Sequence, residues 1–425
     1  MTADRSDSLD SLKRHFHPGV KGVVGVAVSG GSDSLALLYL LHDWQCDGGP
    51  DMRAATVDHG LRPEAAAEAV KVARICAGLG IAHDTLTWRG WDGTGNLPDR
   101  ARRARYALLA DWARGHGIAD LAVGHTEDDL AETFLMRLAR GAGVDGLAAM
   151  RDRWREAGVT FHRPLLGQGR EALRDLLRAR GVAWVEDPTN SDARYERARA
   201  RAALGALAPL GIGTATLAAA ARKMAGARAA LYQQAHGLAQ DHVRIEAGDV
   251  MIARAAVRDM PDEAARRILQ TALRWINGAE YPPRGPAMTQ FLAAARGGAT
   301  MTLQGCHMQV QGGMLRIGRE YDAVAGLRVP QGQVWDGRWR VKGPEVAGAE
   351  VAALGAGGLR ACPDWRAGGL PRGSAMASPA LWRGKALLAA PLVGWPNGYQ
   401  LRLIRDGASY FDALLFIEHG GVISI

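Results

Sequence analysis

The stretch VVGVAVSGGSDSLALLYLL, residues 23–41, decides the fold of the N-terminal half of this 425-residue chain. It joins an apolar run of strand length to Ser29-Gly30-Gly31-Ser32-Asp33-Ser34 and then directly to a helical pattern. Similar strand-length runs alternate with helical patterns through the first 190 residues, which is typical of βαβ units in a parallel sheet. The sequence therefore predicts an open, doubly wound α/β domain whose ligand binds at the carboxyl ends of the strands.

The pattern predicts individual elements as well as the fold class. The predicted strands are 23–28, 54–57, 82–88, 120–124 and a short one at 182–185, and the predicted helices begin near 34, 63, 98 and 127 or cover 170–180. Pro63 and Pro98 suit the first turn of a helix, where a missing N–H costs nothing. The Ala-rich helical pattern of residues 204–296 predicts a small helical domain. Alternating apolar residues around Gly312 and Gly313 predict a hairpin. We expect a catalytic domain at 1–203, a helical domain ending in the hairpin at 204–320, and a mixed α/β domain at 321–425.

The composition is that of a soluble globular protein, with 48% hydrophobic and 23% charged residues. No apolar run approaches the roughly 18 residues of a membrane span, and the N-terminal segment lacks the apolar core of a secretory signal. We therefore expect a cytoplasmic protein that does not bind a membrane. The cysteines, Cys46, Cys76, Cys306 and Cys362, are far apart and lack the spacing of a zinc or iron–sulfur site.

The net charge of +8 is unevenly distributed. Residues 1–200 carry 27 basic and 28 acidic side chains, whereas residues 201–425 carry 25 and 16. Such asymmetry fits a chemical domain joined to domains that hold a polyanion. An Arg-rich composition is the alternative explanation, since only six of the 52 basic residues are Lys.

The loop Ser29–Ser34 has the residue types of a phosphate cradle. Gly30 and Gly31 let main-chain N–H groups approach an anion closely, and the helix N-terminus that follows adds unpaired donors and a partial positive charge. Ser29, Ser32 and Ser34 supply hydroxyl groups. The Walker A spacing and its lysine are missing, and the carboxylate of Asp33 predicts a bridging divalent cation. A capped strand-to-helix turn is the structural alternative, but it needs only one Gly and one cap.

The SGGSDS motif after a first strand resembles the pyrophosphate loop of the N-type ATP pyrophosphatases. Five further segments make the chain similar to the tRNA(Ile)-lysidine synthetase family: DHGLRPE from Asp58, ARRARY from Ala101, GHTEDDLAET from Gly124, LARGAGVDGLAAM from Leu138 and WVEDPTNSDARYERARAR from Trp184. The match is dense over about the first 200 residues. The chain departs from the family pattern where single histidines stand for pairs, in Asp58-His59 and His125-Thr126, and where Ala198 and Ala200 replace the usual Asn and Ile.

The resemblance implies a two-step reaction that uses ATP and Mg²⁺. The O2 oxygen of the wobble cytosine of an isoleucine tRNA with a CAU anticodon attacks the α-phosphate, and pyrophosphate leaves. The ε-amine of free L-lysine then attacks C2 and AMP leaves, which gives lysidine. We expect ATP to bind at Ser29, Gly30, Gly31, Ser32, Asp33 and Ser34, with Asp33 also as the Mg²⁺ ligand. His59, just after a predicted strand, is expected to contact the nucleotide or to move a proton, and a structural hydrogen-bonding role is the alternative for it.

The resemblance also assigns lysine binding to Asp129 and Glu132, which lie three apart on one face of the helix predicted after residue 127. Carboxylates in a first helical turn stabilise the helix, so capping is the alternative for Asp129 but does not explain Glu132. Arg105 is expected to stabilise charge on the α-phosphate, because a guanidinium presents a fork of donors. His125 either contacts nucleotide or moves a proton, and the lysine proton has three candidate acceptors: an acidic side chain, His125 or a phosphate oxygen.

Arg194, Arg197 and Arg201 crowd the predicted domain boundary and are candidates for contacts with tRNA phosphates. The alternative is a solvated basic face. A homodimer is possible. Two other functions stay open from the residues alone: another tRNA-modifying enzyme of the same superfamily, such as a cytidine thiolase, and a non-catalytic RNA-binding protein with a decayed nucleotide fold.

Overall fold

The structure is a computed structural model that describes residues 2–16, 19–20, 22–60, 64–91, 94, 96–186, 194, 196–279 and 281–415, with only the backbone described at 2–6 and 98. The chain forms two compact units, divided after Arg228. The first unit contains six strands and eight complete helices among its described residues. These are α1 Thr2–His15, β1 Val24–Ala27, α2 Ser32–Cys46, β2 Met52–Asp58, α3 Ala65–Gly78, β3 Ala82–Thr87, α4 Leu97–Gly115, β4 Asp120–Val123, α5 Glu127–Ala139, α6 Val144–Leu147, β5 Arg153–Glu156, β6 Val159–His162, α7 Arg170–Ala179 and α8 Glu196–Leu207.

The strands of the first unit form one twisted sheet in the order β3-β2-β1-β4-β6-β5. The first five strands in that order are parallel, and β5 adds antiparallel to β6 at the edge. The chain moves outward from β1 to β2 and β3, then returns to place β4 on the other side of β1. The carboxyl ends of β1 and β4 are therefore the switch point, where this class of sheet binds its ligands.

Helices cover both faces of this sheet, as a doubly wound fold requires. On one face, buried residues of α1, α2, α3 and α7 pack against Val24 and Val26 of β1. On the other face, Leu109 and Trp112 of α4 pack against β4 and Phe161 of β6. The strand β1 is buried on both sides, which explains its unbroken apolar sequence.

The predicted fold class is confirmed. The first four predicted strands and the helices predicted near residues 34, 98, 127 and 170 are present within two residues of their expected positions. The helix expected near Pro63 begins at Ala65, and Pro63 itself lies outside the described residues.

The predicted strand at 182–185 is wrong. These residues have no regular secondary structure, because β6 takes the place beside β4 and β5 pairs with β6 at that edge of the sheet. The segment instead passes the phosphate loop, where the Val185 N–H donates to the Gly30 carbonyl at 2.9 Å. The β5–β6 hairpin was not predicted, because its strands are short and turn at Ala157 and Gly158, both with positive φ.

The second unit contains three antiparallel sheets among its described residues. The helix α9, Thr214–His242, contains the division between the units, and the elements after it are β7 Val243–Glu246, β8 Asp249–Ala253, α10 Arg254–Asp259, α11 Asp262–Asn277, α12 Gly285–Gly297, β9 Met301–Leu303, β10 Cys306–Gln311, β11 Met314–Arg319, β12 Arg328–Pro330, β13 Trp339–Lys342, β14 Ala349–Ala353, α13 Gly355–Ala361, α14 Arg372–Ala377, β15 Pro379–Arg383, β16 Ala386–Ala389, β17 Gln400–Leu403 and α15 Gly407–Leu415. The sheet orders are β7-β8-β11-β10-β9, β12-β14-β15-β16 and β13-β17. The predicted hairpin at Gly312 and Gly313 is confirmed as β10–β11. The three-domain boundaries stay a prediction.

No single helix in the described part of the chain combines the length and apolar composition of a membrane span. Two consecutive helical stretches, Glu196–Leu210 and Thr214–His242, meet those criteria only when taken together, and the chain bends by 101° between them.

Close packing between Gly124 and the start of α2 generates a first prediction. A Cβ at residue 124 would lie 2.9 Å from the Ser34 Cα and 3.0 Å from the Asp33 carbonyl carbon, both backbone atoms. We expect Gly124→Ala to lower the free energy of unfolding by about 1–3 kcal/mol and to weaken ATP binding, because the loop must move. Denaturant unfolding and nucleotide titration measure the two effects.

Gly115→Ala is the matched control, since a Cβ there would meet no atom within 4 Å and φ is not positive. Equal stability and ATP affinity in the two variants would contradict the proposed packing role of Gly124.

Candidate functional site

The phosphate loop lies at the switch point, between β1 and α2. Gly30 has φ +87°, a conformation that favours glycine, and Gly31 is the N-cap of α2 without a side chain that caps it. The first-turn N–H groups of α2 therefore have no side-chain cap and are available to an anion.

Serine hydroxyls hold the shape of this loop. The Ser34 Oγ accepts from the Ser29 N–H at 3.1 Å, lies 3.1 Å from the Ser29 Oγ and donates to the Gly31 carbonyl at 3.0 Å. The Ser32 Oγ donates to Oδ1 of Asp33 at 3.0 Å. Ser34 thus stabilises the loop through hydrogen bonds within it, a role that the sequence pattern did not indicate.

One guanidinium joins the acidic residues of the site. Arg170, at the first position of α7, donates through Nε to Oδ2 of Asp33 at 3.0 Å and through Nη1 to Oε1 of Glu132 at 3.3 Å. Its Nη2 lies 3.5 Å from Oδ1 of Asp129. The structure therefore brings together Asp33, Asp129 and Glu132, which were predicted separately, and it adds Arg170, which sequence analysis missed.

Electrostatics reflect this arrangement. Burial raises the pKa of Asp33, and Arg170 beside it acts in the opposite direction. Burial alone would lower the pKa of Arg170, but Asp129, Asp33 and Glu132 together raise it above its ordinary value. Arg170 is thus held as a cation by three carboxylates at once.

Asp129 serves as a helix cap and also faces the site. Its Oδ2 accepts from the N–H and the Oγ1 of Thr126 at 2.9 and 3.0 Å, which completes a capping box at the start of α5. Its other oxygen, Oδ1, accepts from Nη1 of Arg197 at 3.1 Å. The capping alternative therefore accounts for one of its two carboxylate oxygens.

Glu132 is fully buried and carries an unused acceptor. Its Oε1 accepts from Nε of Arg201 at 2.6 Å and from Arg170, whereas Oε2 is buried without a hydrogen-bond partner in the described part of the chain. A buried carboxylate oxygen without a donor is costly, so this atom is suited to a cationic ligand.

The arginines considered for tRNA binding differ in their surroundings. Arg197 and Arg201 contact the carboxylates of Asp129 and Glu132, as described above. Arg194 is exposed. The roles of all three toward tRNA stay predictions.

His125 lies in a buried, cationic surrounding. Arg163 is 6% exposed, stacks 3.9 Å from the centre of the Trp154 ring and donates through Nε to Nδ1 of His125 at 3.1 Å. Burial lowers the pKa of His125 well below its usual value, and Arg163 and Arg105 lower it further. Because the arginine is the donor, Nδ1 of His125 has no proton and the neutral ring carries its proton on Nε2.

Arg105 affects two other groups near His125. Burial alone would raise the pKa of Tyr106, but Arg105, Arg163 and Arg102 bring it down to about 8. Burial and then Arg105 lower the pKa of His59, whose Nδ1 is buried without a described partner. Arg105 therefore lowers the pKa of both candidate histidines, His59 and His125. Tyr106 and Arg163 are the additions that sequence analysis missed.

The donor set is compatible with a magnesium ion that arrives on a nucleotide. The described residues contain no cluster of three or more His, Cys, Asp or Glu side chains that would form a protein-only metal site. Mg²⁺ commonly takes one or two carboxylates and completes its coordination with phosphate oxygens and water. Asp33, within the phosphate loop, has a carboxylate of this kind, and its role as a magnesium ligand stays a prediction.

Comparison with known proteins first identifies the class. Residues 5–207 match the family model described as the PP-loop domain. This match covers β1, the phosphate loop and the sheet that positions them, and it defines a PP-loop protein, a class that uses ATP.

Curated relatives identify the family. The chain is 49% identical over 415 residues to a tRNA(Ile)-lysidine synthase from Ruegeria pomeroyi, which covers 98% of this chain and 99% of the relative. Proteins of the same name from a Bradyrhizobium species and from Hyphomonas neptunium are 42% and 40% identical, over 63% and 67% of this chain and 75% and 80% of their own lengths. The chain belongs to the tRNA(Ile)-lysidine synthase family. This membership separates it from the cytidine thiolases and from non-catalytic RNA-binding proteins.

The Arg163–His125 contact generates a second prediction. We expect ¹⁵N NMR of histidine-labelled protein to show His125 with its proton on Nε2 and no titration from pH 8 down to about 6. In Arg163→Met, the loss of the donor and of a positive charge should allow both tautomers and raise the pKa toward 6.5.

Arg155→Gln is the control, because it removes an exposed arginine from the nearby β5–β6 hairpin. It should leave the His125 signals unchanged. His125→Gln identifies those signals. A wild-type His125 that gains a proton between pH 7 and 6 would contradict this interpretation.

Proposed function

We propose that this chain ligates free L-lysine to C2 of the wobble cytidine of an isoleucine tRNA with a CAU anticodon, with ATP as the source of an adenylate. One observation carries the assignment of roles: Arg170 holds Asp33 of the phosphate loop together with Asp129 and Glu132 of α5. A nucleotide site and a site for a cationic substrate therefore adjoin each other.

In the first step, the β- and γ-phosphates would accept hydrogen bonds from the N–H groups of Gly30, Gly31 and the first turn of α2. Magnesium bound by Asp33 would neutralise charge on the leaving pyrophosphate. The cytosine O2 attacks the α-phosphate and the bond to pyrophosphate breaks. Arg105 would stabilise the charge that develops on the α-phosphate, and His59 would contact the nucleotide.

His125 fits this step as a neutral hydrogen-bond donor. Because Nδ1 accepts from Arg163, the ring proton is on Nε2 and would be donated to a phosphate oxygen or to the nucleotide. The same contact argues against His125 as the acceptor of the lysine proton, since protonation of Nδ1 would place two cations in contact within a buried site.

In the second step, Asp129 and Glu132 would bind the α-ammonium of lysine and so orient the ε-amine toward C2. The unused Oε2 of Glu132 is the acceptor that this role needs. The attacking amine has a reference pKa of about 10.4, which corresponds to roughly 4.6 kcal/mol of deprotonation at pH 7. With His125 excluded, an acidic side chain or a phosphate oxygen remains as the proton acceptor.

Arg170 would couple the two half-sites. Without ligands, the Arg170 guanidinium is the counter-ion of the carboxylates that would bind Mg²⁺ and the lysine ammonium. When those cations bind, Arg170 is released toward the phosphates or the lysine carboxylate, which are both anionic. This exchange links binding of lysine to binding of the nucleotide.

Separate variants should divide the two steps, which is a third prediction. We expect Asp33→Asn to abolish adenylation, because the magnesium ligand is lost. We expect Glu132→Gln to retain adenylation and lose lysine transfer, so that adenylated tRNA accumulates. Gel analysis with α-labelled ATP, with and without lysine, measures both steps.

Glu127→Gln on the same helix is the matched control, because Glu127 contacts Arg222 rather than Arg170. It should retain both steps, and circular dichroism should show that all three variants are folded. Failure of adenylated tRNA to accumulate in a folded Glu132→Gln protein would contradict this division of roles.

Mass spectrometry tests the overall reaction and is the fourth prediction. After incubation with ATP, lysine and a CAU-anticodon isoleucine tRNA, the anticodon-loop fragment should gain the mass of one lysine minus one water. Omission of lysine or ATP should abolish the gain. An unmodified wobble cytidine under the complete conditions would refute the proposed function.

A further inference from the structure

Tyr106 is buried among arginines in the first unit. It lies on α4 and is 5% exposed. The guanidinium carbons of Arg102 and Arg105, on the same helix, each lie 5.3 Å from the centre of its ring. Arg163, which follows β6, acts on the same phenol electrostatically. The arginine cluster is defined here as Arg102, Arg105 and Arg163.

The arginine cluster has no carboxylate partner among the described residues. No Asp or Glu side chain in that part of the chain lies within 4.0 Å of its guanidinium groups, whereas Arg53 in the same unit, for example, pairs with Asp84. Arg163 is 6% exposed, and a buried cation without a counter-charge is costly. In the described structure, the acidic group that meets this cluster is the phenol of Tyr106.

The phenol oxygen of Tyr106 is surrounded by donors. Arg105 and Arg163 approach it, yet within the described residues it makes no hydrogen bond of normal geometry. A guanidinium has N–H donors and no acceptor. The oxygen is therefore suited to accept from both arginines, and neither of them can take the hydroxyl proton as a hydrogen-bond acceptor.

The phenol and the buried guanidinium each favour the charged form of the other. The arginine cluster opposes the effect of burial on the pKa of Tyr106. Conversely, burial lowers the pKa of Arg163, and Tyr106 acts in the opposite direction. The ring itself is held by apolar packing, with Trp154 and Phe161 in edge-to-face contact at 5.4 and 5.3 Å between ring centres.

We propose that Tyr106 is a positioning residue whose phenol oxygen is shared by Arg105 and Arg163 and holds both guanidinium groups in place for adenylation. Arg105 is the group expected at the α-phosphate, and Arg163 keeps the proton of His125 on Nε2. One buried oxygen thus orients two groups that serve the nucleotide. This inference rests on the proposed function, because it takes adenylation as the step that the two arginines serve.

Optical titration tests the contact directly and is the fifth prediction. The near-ultraviolet absorbance of the phenolate reports tyrosine ionisation, and the difference between the wild type and Tyr106→Phe isolates one of the eight tyrosines. We expect a midpoint near pH 8, below the usual value of about 10. Arg105→Gln should raise that midpoint by about one pH unit or more, because an opposite charge is lost.

Arg103→Gln is the matched control for the titration. Arg103 is an exposed arginine of the same helix that pairs with Asp99, so its removal should leave the midpoint unchanged. A comparison of the wild type with Arg105→Gln shows the same displacement of one tyrosine, so the result does not depend on the folding of Tyr106→Phe.

Kinetics of the same variant test the positioning role. Tyr106→Phe keeps the ring and its packing and removes the oxygen alone. We expect kcat for adenylation of the tRNA to fall about ten- to a hundredfold, with KM for ATP changed less than about threefold, because Arg105 acts on charge that develops in the transition state. Tyr39→Phe should retain full activity. The Arg180 guanidinium also lies 5.3 Å from the centre of the Tyr39 ring, but Arg180 has a carboxylate partner in Asp43.

Three results would overturn the proposal: a Tyr106 midpoint above about pH 9, a midpoint that Arg105→Gln does not move, or a kcat of Tyr106→Phe within twofold of the wild type. Absence of adenylation by the wild type would instead refute the proposed function. The optical titration would then still show whether Tyr106 shares its oxygen with the arginines.

Discussion

The contact between Arg170 and the carboxylates of Asp33, Asp129 and Glu132 is the interaction on which the candidate site depends. With Arg197 and Arg201 added, three acids face three guanidinium groups in a largely buried space. A buried cluster of this kind is tolerated only when its charges balance. Under the proposed function, the cationic ligands, Mg²⁺ and the lysine ammonium, would therefore bind together with the anionic ATP phosphates.

The fold brings these residues together through one topological feature. Because β4 lies on the far side of β1 from β2, the loop after β1 and the start of α5 after β4 meet at one edge of the sheet. Gly124 allows the two backbones to approach each other, and Arg170 reaches the same edge from α7. The chemistry thus follows from the order of the strands as well as from the residues.

Groupings of residues that are neighbours in the sequence could be predicted from it. Contacts between residues that are far apart in the sequence could not. Ser29–Ser34 could be identified because strand, glycines and helix follow one another without a gap. The placement of Asp129 and Glu132 on one helical face could be predicted from their spacing, whereas their assignment to lysine came from the family resemblance and stays a prediction. Arg170 could not be identified, because its partners Glu132 and Asp33 lie 38 and 137 residues away. Arg163 was missed for the same reason, since its basic character in the sequence does not show that a histidine 38 residues earlier is its partner. The failed strand at 182–185 shows a related limit, because an apolar run indicates burial without indicating which neighbour provides it.

The hydrogen bond from Val185 to Gly30 has a consequence for the direction of the loop's dipoles. A trans peptide unit is planar, so the carbonyl of one residue and the N–H of the next point in opposite directions. Because the Gly30 oxygen is directed at the Val185 N–H, the Gly31 hydrogen points in the opposite direction. Rotation of this single peptide unit would present an oxygen to an incoming polyanion and repel it. A segment far along the chain therefore fixes the orientation of one peptide dipole in the phosphate loop.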